Sequence, residues 1–349
     1  MARICVTGGG GFIGSHLAKK LYDDGHFVRV ADIKYDNYLK DRYYSQKAVL
    51  DLRILSNCYE AVMGVDYVYN LAANMGGIGY ITAVNAEVMR DNVLINTNML
   101  EAARVAGIKR YFYSSSACIY PNYKQRSADL RDLIPEFYSK NAHMDGVLHP
   151  GFPGLKESDD MPADPNEAYG WEKLFTEQMA MFYQKDYGLD VRIARFHNIY
   201  GPQGTYDGGR EKAPAALCRK IAKAKNQDII EIWGDGTATR SFCYIDDCVR
   251  GIMMLMDSEY SKPLNIGSDR LVTIDALADI IIGISGKKIT KTHLPAMPEG
   301  VKGRNADLTL VKQVLGWEPK VSLEEGLAIT YKWIKEQVAQ AWVEKQVRS

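Results

Sequence analysis

Most of what this chain can fold into is decided by seven residues, Gly8 to Gly14, that come after its first apolar run. Arg3-Ile-Cys-Val-Thr7 reads as a short strand and leads straight into Gly8-Gly-Gly-Gly-Phe-Ile-Gly14, after which Ser15 to Tyr22 reads as a helix. Glycines at 8, 11 and 14 permit a tight turn, close approach of backbone to a pyrophosphate, and free N–H groups at a helix N-terminus. Glycine-rich turns are common, so the strand before and the helix after carry the weight of the motif. The next strand, Phe27–Ala31, ends in Asp32, eighteen residues after Gly14. A carboxylate there accepts hydrogen bonds from an adenosine ribose and repels a 2′-phosphate, which favours NAD over NADP.

Strand and helix patterns keep alternating. Ala48–Leu50 reads as a third strand ending in Asp51-Leu52, a candidate adenine contact, and Asp66–Leu71 as a fourth. Ala86–Ala106 reads as a helix with Val88, Val93, Leu94, Thr97, Leu100 and Ala103 near one stripe. A fifth strand, Arg110–Tyr113, leads into Ser114-Ser-Ser-Ala-Cys-Ile-Tyr-Pro121. Three hydroxyls and a thiol thus stand at a strand's C-terminal end, where open α/β sheets bind ligands. Asn122–Asp164, with prolines at 135, 150, 153 and 162, reads as a long surface excursion. A helix from Asn166 to about Tyr187 then carries Tyr169 and Lys173, four apart and so on one face. Asp190–Arg195 is a sixth strand.

The pattern predicts an α/β protein: a Rossmann-type doubly wound parallel sheet with a smaller C-terminal α/β substrate lobe. Alternation loosens near Asn198, which places one domain at 1–197 plus roughly 238–260 and the other at 198–237 and 261–349. Beyond that point the sequence predicts a helix to about Ala224, a strand Ile229–Trp233, and a helix N-capped by Asp246. A strand Pro263–Gly267, a helix Ile274–Ile284 and a closing helix from Leu323 to about Lys345 complete it.

Charge and cysteine usage narrow the function classes. Lys+Arg and Asp+Glu both number 43, so net charge is zero and nothing favours sustained nucleic-acid or anionic-membrane binding. An anionic ligand must then be held by local cations. No apolar run reaches the length of a membrane span, and the first strand begins too near Met1 to leave room for a signal peptide. The six cysteines lack metal-ligand spacing and suit a reducing cytosol. The expectation is a cytoplasmic protein with no metal site.

Gly8-x-x-Gly11-x-x-Gly14, Asp32, Ser116 and Tyr169-x-x-x-Lys173 together resemble the extended short-chain dehydrogenase/reductase family of nucleotide-sugar enzymes. Within it, Asn70–Gly77, Ser115–Pro121 and Gly208–Ala216 resemble the branch that epimerises GDP-mannose at C3 and C5, and Ile199–Pro202 and Gly303–Asn305 fit as well. The resemblance implies a Rossmann lobe holding NAD, a smaller lobe holding GDP-mannose, and a homodimer through the helices near 86–106 and 166–187. It implies that Phe12 and Ile13 join the glycines, Asp32, Asp51, Leu52, Tyr169 and Lys173 around NAD. Gly76, Ser116, Ala117, Cys118, Asn198, Glu211, Lys212, Ala213 and Lys220 would then meet the substrate. Arg240 and Arg304 are candidate clamps on its pyrophosphate, since a planar guanidinium fork suits phosphate oxygens. The Asn122–Asp164 excursion looks longer than the family usually has.

A sugar C–H becomes acidic only beside a carbonyl, so the implied chemistry begins with oxidation at C4. Tyr169 would take the C4 hydroxyl proton and Ser116 would hold the oxygen. A free tyrosine titrates near 10. One cation near 4 Å is worth about 4 kcal/mol at an effective dielectric of about 20, so Lys173 with the positive nicotinamide is expected to suffice. Cys118 would then act as base at C3 and C5, and Lys212 as acid on the opposite ring face. The nearest alternative, a GDP-4-keto-6-deoxymannose epimerase–reductase, uses a histidine acid and NADPH. A 4,6-dehydratase would want an acidic pair after Ser116, a 4-epimerase needs no Cys118, and a non-catalytic NAD sensor would be expected to lack Tyr169 or Lys173.

Overall fold

The computed structural model describes residues 1–35, 43–125 and 154–348. Strand β1 (Arg3–Thr7) turns through the glycine loop into α1 (Phe12–Asp23), which precedes β2 (Phe27–Asp32), β3 (Gln46–Val49), α2 (Leu55–Val62) and β4 (Tyr67–Asn70). Next come α3 (Ile78–Ala83), α4 (Asn85–Val105), β5 (Arg110–Ser116), α5 (Ala168–Tyr187) and β6 (Val191–Phe196). The rest comprises β7 (Ile199–Tyr200), α6 (Ala213–Lys223), β8 (Ile229–Trp233), β9 (Thr239–Ser241), β10 (Cys243–Tyr244), α7 (Ile245–Asp257) and β11 (Leu264–Ile266). It closes with β12 (Leu271–Thr273), α8 (Ile274–Ser285), β13 (Thr290–Leu294), β14 (Gly303–Arg304), α9 (Thr309–Leu315) and α10 (Leu323–Arg348).

Seven strands form one parallel sheet in the order β11-β6-β5-β4-β1-β2-β3. Consecutive residues of β1 show how both faces are covered. Ile4 and Val6 enter an apolar cluster with Leu17 and Leu21 of α1, whereas Cys5 enters a second cluster with Val68 of β4 and Met99 and Leu100 of α4. A strand buried on both sides reads as an unbroken apolar run, which is why these strands stand out in the sequence. The strand order reverses between β1 and β4, and the crevice at their C-terminal ends is where such a sheet receives ligands.

The smaller elements gather beyond that edge. β9 lies between antiparallel β12 and parallel β14, β8 pairs with β13, and β7 pairs with β10. Helices α6, α8 and α10 pack together around them.

Three expectations change. β11, assigned from sequence to the smaller lobe, is the edge strand of the large sheet beside β6, because its short apolar run is buried there. Asp246 is not an N-cap: α7 starts two residues earlier than that reading requires, at Ile245, with Tyr244 in the cap position and Asp246 inside the first turn. On α4 the buried face is partly polar, with Asp91, Asn92 and Asn96 inside and Leu94 exposed, since those amides and that carboxylate find partners. Of the Asn122–Asp164 excursion, 126–153 lies outside the described residues. Its two ends meet where the Asn122 N–H donates to the Asp164 carbonyl at 2.7 Å.

Candidate active site

At the switch point the glycine loop is packed too tightly for side chains. A Cβ on Gly14 would come 2.1 Å from the Gly8 carbonyl oxygen, and one on Gly10 would come 2.1 Å from the Lys34 carbonyl oxygen. α1 opens with Gly11 at its N-cap and no capping side chain, so the positive end of the helix is offered to an anion docking on the loop. Asp32 closes the other side, its Oδ2 accepting from Gly10 N–H at 2.9 Å and its Oδ1 from Ile33 N–H at 2.7 Å. Oδ1 also accepts from the Lys34 N–H at 3.4 Å, so Oδ2 is the oxygen that keeps a lone pair for a ribose hydroxyl. Burial pushes the Asp32 carboxyl up, against the N–H groups of Lys34, Ile33 and Gly10. These residues fit a dinucleotide. The Phe12 ring packs over Gly204, Ile13 packs against the core, and Leu52 is buried. The Asp51 carboxylate pairs with Arg53, 2.7 Å away.

Between the sheet's C-terminal edge and the smaller elements lies a cavity of ≈ 370 Å³, the size of a small-molecule site. Its walls include Gly76, Ser116, Cys118, Tyr169, Asn198, Glu211, Lys212, Ala213, Lys220, Arg240 and Arg304. Ala117 is different: its side chain turns away into a cluster with Ile119, Tyr120, Leu155 and Leu174. Ser116 ends β5 and caps a 3-10 turn, Ala117–Ile119, by accepting from the Cys118 N–H at 3.2 Å. That turn brings the Cys118 Sγ to Arg304, whose Nη1 donates to it at 3.2 Å. Burial alone would raise the thiol, but Arg304, the Ser116 hydroxyl and Lys212 outweigh it, and Cys118 ends below its ordinary value. Lys212 stands at the start of α6 with its side chain in the open cavity. Enclosure by protein holds its ammonium below the usual lysine range, Cys118 pulling it up and Arg304 down.

Tyr169 lines the same cavity, but the protein's own groups push its phenol well above 10. Burial is the main cause, with Glu172 and Cys118 adding to it and the Ser116 hydroxyl opposing. Lys173 does not reverse this. Its Nζ donates to the Ser114 carbonyl at 2.9 Å and lies 5.5 Å from the Tyr169 ring centroid. Burial lowers the Lys173 ammonium, and Glu172, 3.9 Å away, is the first of the groups that raise it. Sequence reasoning missed Glu172. It is buried on α5 and accepts from Asn92 at 2.9 Å and Asn96 at 3.3 Å. A carboxylate in a helical run reads as a solvated face until its neighbours are known.

Arg240 and Arg304 sit opposite each other in register on adjacent strands β9 and β14. Among the described residues Arg240 donates to the carbonyls of Thr239 and Glu299, at 2.8 and 3.0 Å, and it is pushed down by burial and then by Arg304. Two neighbouring guanidiniums that line a cavity and form no ion pair among the described residues call for an anion. Arg304 also takes Gln125 Oε1 at 2.6 Å, so it serves the thiol as much as any phosphate. Lys220 donates to the Glu231 carbonyl at 2.7 Å, Glu211 is held by Arg219 at 2.7 Å, and Asn198 donates to the Ser241 carbonyl at 3.0 Å. Gln125 had no sequence signal, because its partner Arg304 is 179 positions away.

A doubly wound parallel sheet with a glycine loop at its first turn, and a Ser, Tyr and Lys gathered at its ligand edge, defines a Rossmann-type dinucleotide-dependent enzyme. Within that class the chain belongs to the NAD dependent epimerase/dehydratase family, whose model matches residues 4–267. It is 47% identical over 337 residues to the GDP-mannose 3,5-epimerase 1 of Oryza sativa subsp. japonica, covering 96% of this chain and 82% of that one. It is also 47% identical to the GDP-mannose 3,5-epimerase of Arabidopsis thaliana, covering 96% and 83% of the two chains. The crystal structure of Thermotoga maritima UDP-glucose 4-epimerase with UDP-glucose matches 96% of this chain and 99% of its own, with a TM-score of 0.79 at 26% identity.

Proposed function

We propose that this protein epimerises GDP-mannose at C3 and C5, giving GDP-L-galactose and GDP-L-gulose through a transient 4-keto sugar. The observation that carries this reading is the placing of Cys118 and Lys212 on one cavity beside Ser116 and Tyr169, with Arg304 on the thiol. The glycine loop and Asp32 would hold NAD, which when bound would accept and return a hydride at C4, leaving no net redox change. Tyr169 takes the C4 hydroxyl proton while Ser116 holds the oxygen. The protein's own groups leave its phenol high, and a bound nicotinamide would supply further positive charge beside it. With C4 a ketone, the Cys118 thiolate removes the proton from C5 or C3, and the Lys212 ammonium returns one to the opposite ring face. Arg240 and Arg304 hold the pyrophosphate.

Histidine-dependent reduction fits the site less well, because no histidine is among the described residues that line the cavity. We assign NAD to 1–197 with 238–260 and strand 264–266, and the nucleotide sugar to 198–237 and the remainder of 261–349. A homodimer is supported by the apolar side chains that α4 and α5 leave exposed, among them Leu94, Trp171, Phe175 and Phe182. No described helix is long and apolar enough to cross a membrane, and we assign the protein to the cytoplasm.

The test is incubation with GDP-mannose in deuterated water, with no nicotinamide added. Deuterium at C3 and C5 of the recovered sugars supports the proposal. In a parallel incubation with GDP-4-keto-6-deoxymannose and added NADPH, stoichiometric NADPH consumption, together with no deuterium uptake from GDP-mannose, would replace it with the epimerase–reductase reading.

A further inference from the structure

Building on that reading, we infer that Arg210 and Tyr80 form a clasp across the cleft that positions Lys212. Neither residue lines the cavity, so any effect of theirs on the reaction is indirect. The Arg210 guanidinium lies 3.8 Å above the Tyr80 ring centroid, and its Nη2 donates to the Tyr80 hydroxyl at 2.6 Å. That hydroxyl donates to Asn74 Oδ1 at 2.9 Å, the Asn74 N–H donates to Asn92 Oδ1 at 2.6 Å, and Asn92 Nδ2 donates to Glu172 Oε1 at 2.9 Å. The chain of contacts therefore ends beside Lys173.

The backbone is joined as well. The Gly77 N–H donates to the Arg210 carbonyl at 3.0 Å. The approach is so close that a Cβ on Gly77 would lie 2.4 Å from the Glu211 carbonyl oxygen. Residues 210 and 211 are thus seated against the start of α3, and Lys212 is the next residue. Upstream, Gly208 and Gly209 take φ of +92° and +85°, while the Gly209 N–H donates to Glu211 Oε2 and the Asp207 and Glu211 carboxylates pair with Arg219 of α6, so this lead-in is anchored to α6 itself and the contacts with Tyr80 and Gly77 tie it across the cleft. Downstream, Lys212 is bound into α6 through its carbonyl, which accepts from the Ala216 N–H at 2.9 Å. The clasp sets the angle at which α6 presents Lys212 to the sugar. A displacement of about 1 Å at such a group costs on the order of a hundredfold in rate.

The test uses the full chain with its cofactor and compares Arg210→Ala, Arg210→Lys and Tyr80→Phe. In Arg210→Ala, kcat for epimerised product is expected to fall about a hundredfold with KM little changed. The 340 nm signal of C4 oxidation and solvent deuterium exchange through Cys118 should persist, and amides 210–216 should exchange faster. Arg210→Lys should recover little, because an ammonium lacks the planar fork that stacks and donates together. Tyr80→Phe keeps the ring, loses the hydroxyl and should fall between. Product at the wild-type rate in Arg210→Ala, or equal loss of C4 oxidation and inversion, would overturn the clasp. If the wild type itself made no epimerised product, the proposed function would fall. Amide exchange would still judge the clasp, and unchanged protection in Arg210→Ala would overturn it.

Discussion

Cys118 differs from the other five cysteines of the chain in a way that can be measured directly. Burial pushes Cys5, Cys58 and Cys218 up to about 12 and raises Cys243 and Cys248 as well, whereas Cys118 is drawn down. Iodoacetamide at neutral pH should therefore add once, at Cys118, because only the thiolate reacts. Replacing Arg304 with glutamine removes the nearest cation and should move half-maximal alkylation up by about one to three pH units. An adduct elsewhere, or an unmoved profile, would mean that Arg304 belongs to the substrate alone. Cys118 was legible from the strand-end serines around it. Its partner was not, because a donor 186 positions away leaves no trace in local pattern.

Elements were read more securely than their neighbourhoods. The first six strands of the large sheet were placed to within about three residues, five of them because burial makes apolar runs, whereas β3 is an exposed edge strand. Short pieces such as α3 and β14 carry too few residues for any periodicity, and β11 went to the wrong lobe because lobe membership is a property of packing. The glycines show the same division between local and tertiary information. Gly14→Ala should abolish NAD retention and destabilise the protein by about 1–3 kcal/mol, since its Cβ meets the Gly8 carbonyl. Gly283→Ala, exposed within α8 with nothing near its Cβ, should stabilise by up to about 1 kcal/mol. Thermal unfolding and the absorbance of co-purified dinucleotide separate the two. Equal melting temperatures would show that the loop yields more than its packing suggests.

For the whole molecule, acid should loosen the seam where the large sheet meets the foot of the excursion. His197 is buried there with Nε2 donating to Asn265 Oδ1 at 2.9 Å, and Asn265 also takes the Tyr120 hydroxyl and donates to the Leu155 carbonyl. Burial drops His197 from 6.5 to about 3. A depressed folded value means stability that is whole above pH ~6.5 and is lost progressively as pH falls toward the folded value, about 3 kcal/mol by pH 4. Urea unfolding of His197→Gln should show a flatter dependence over that window, and parallel curves would assign the loss to other groups. The pairing of β9 with β14 bears on a different kind of change. β14 is two residues long, and Arg304 faces Arg240 only because the Lys302 and Gly303 N–H groups reach Gln125 and the Thr239 N–H reaches Lys302. A strand shifted by one position turns its side chains to the opposite face. Adding or deleting one residue between Glu299 and Gly303 would therefore carry Arg304 away from both Arg240 and Cys118. That segment should tolerate altered composition far better than altered length, so an otherwise well-folded protein could be silenced by a single inserted codon.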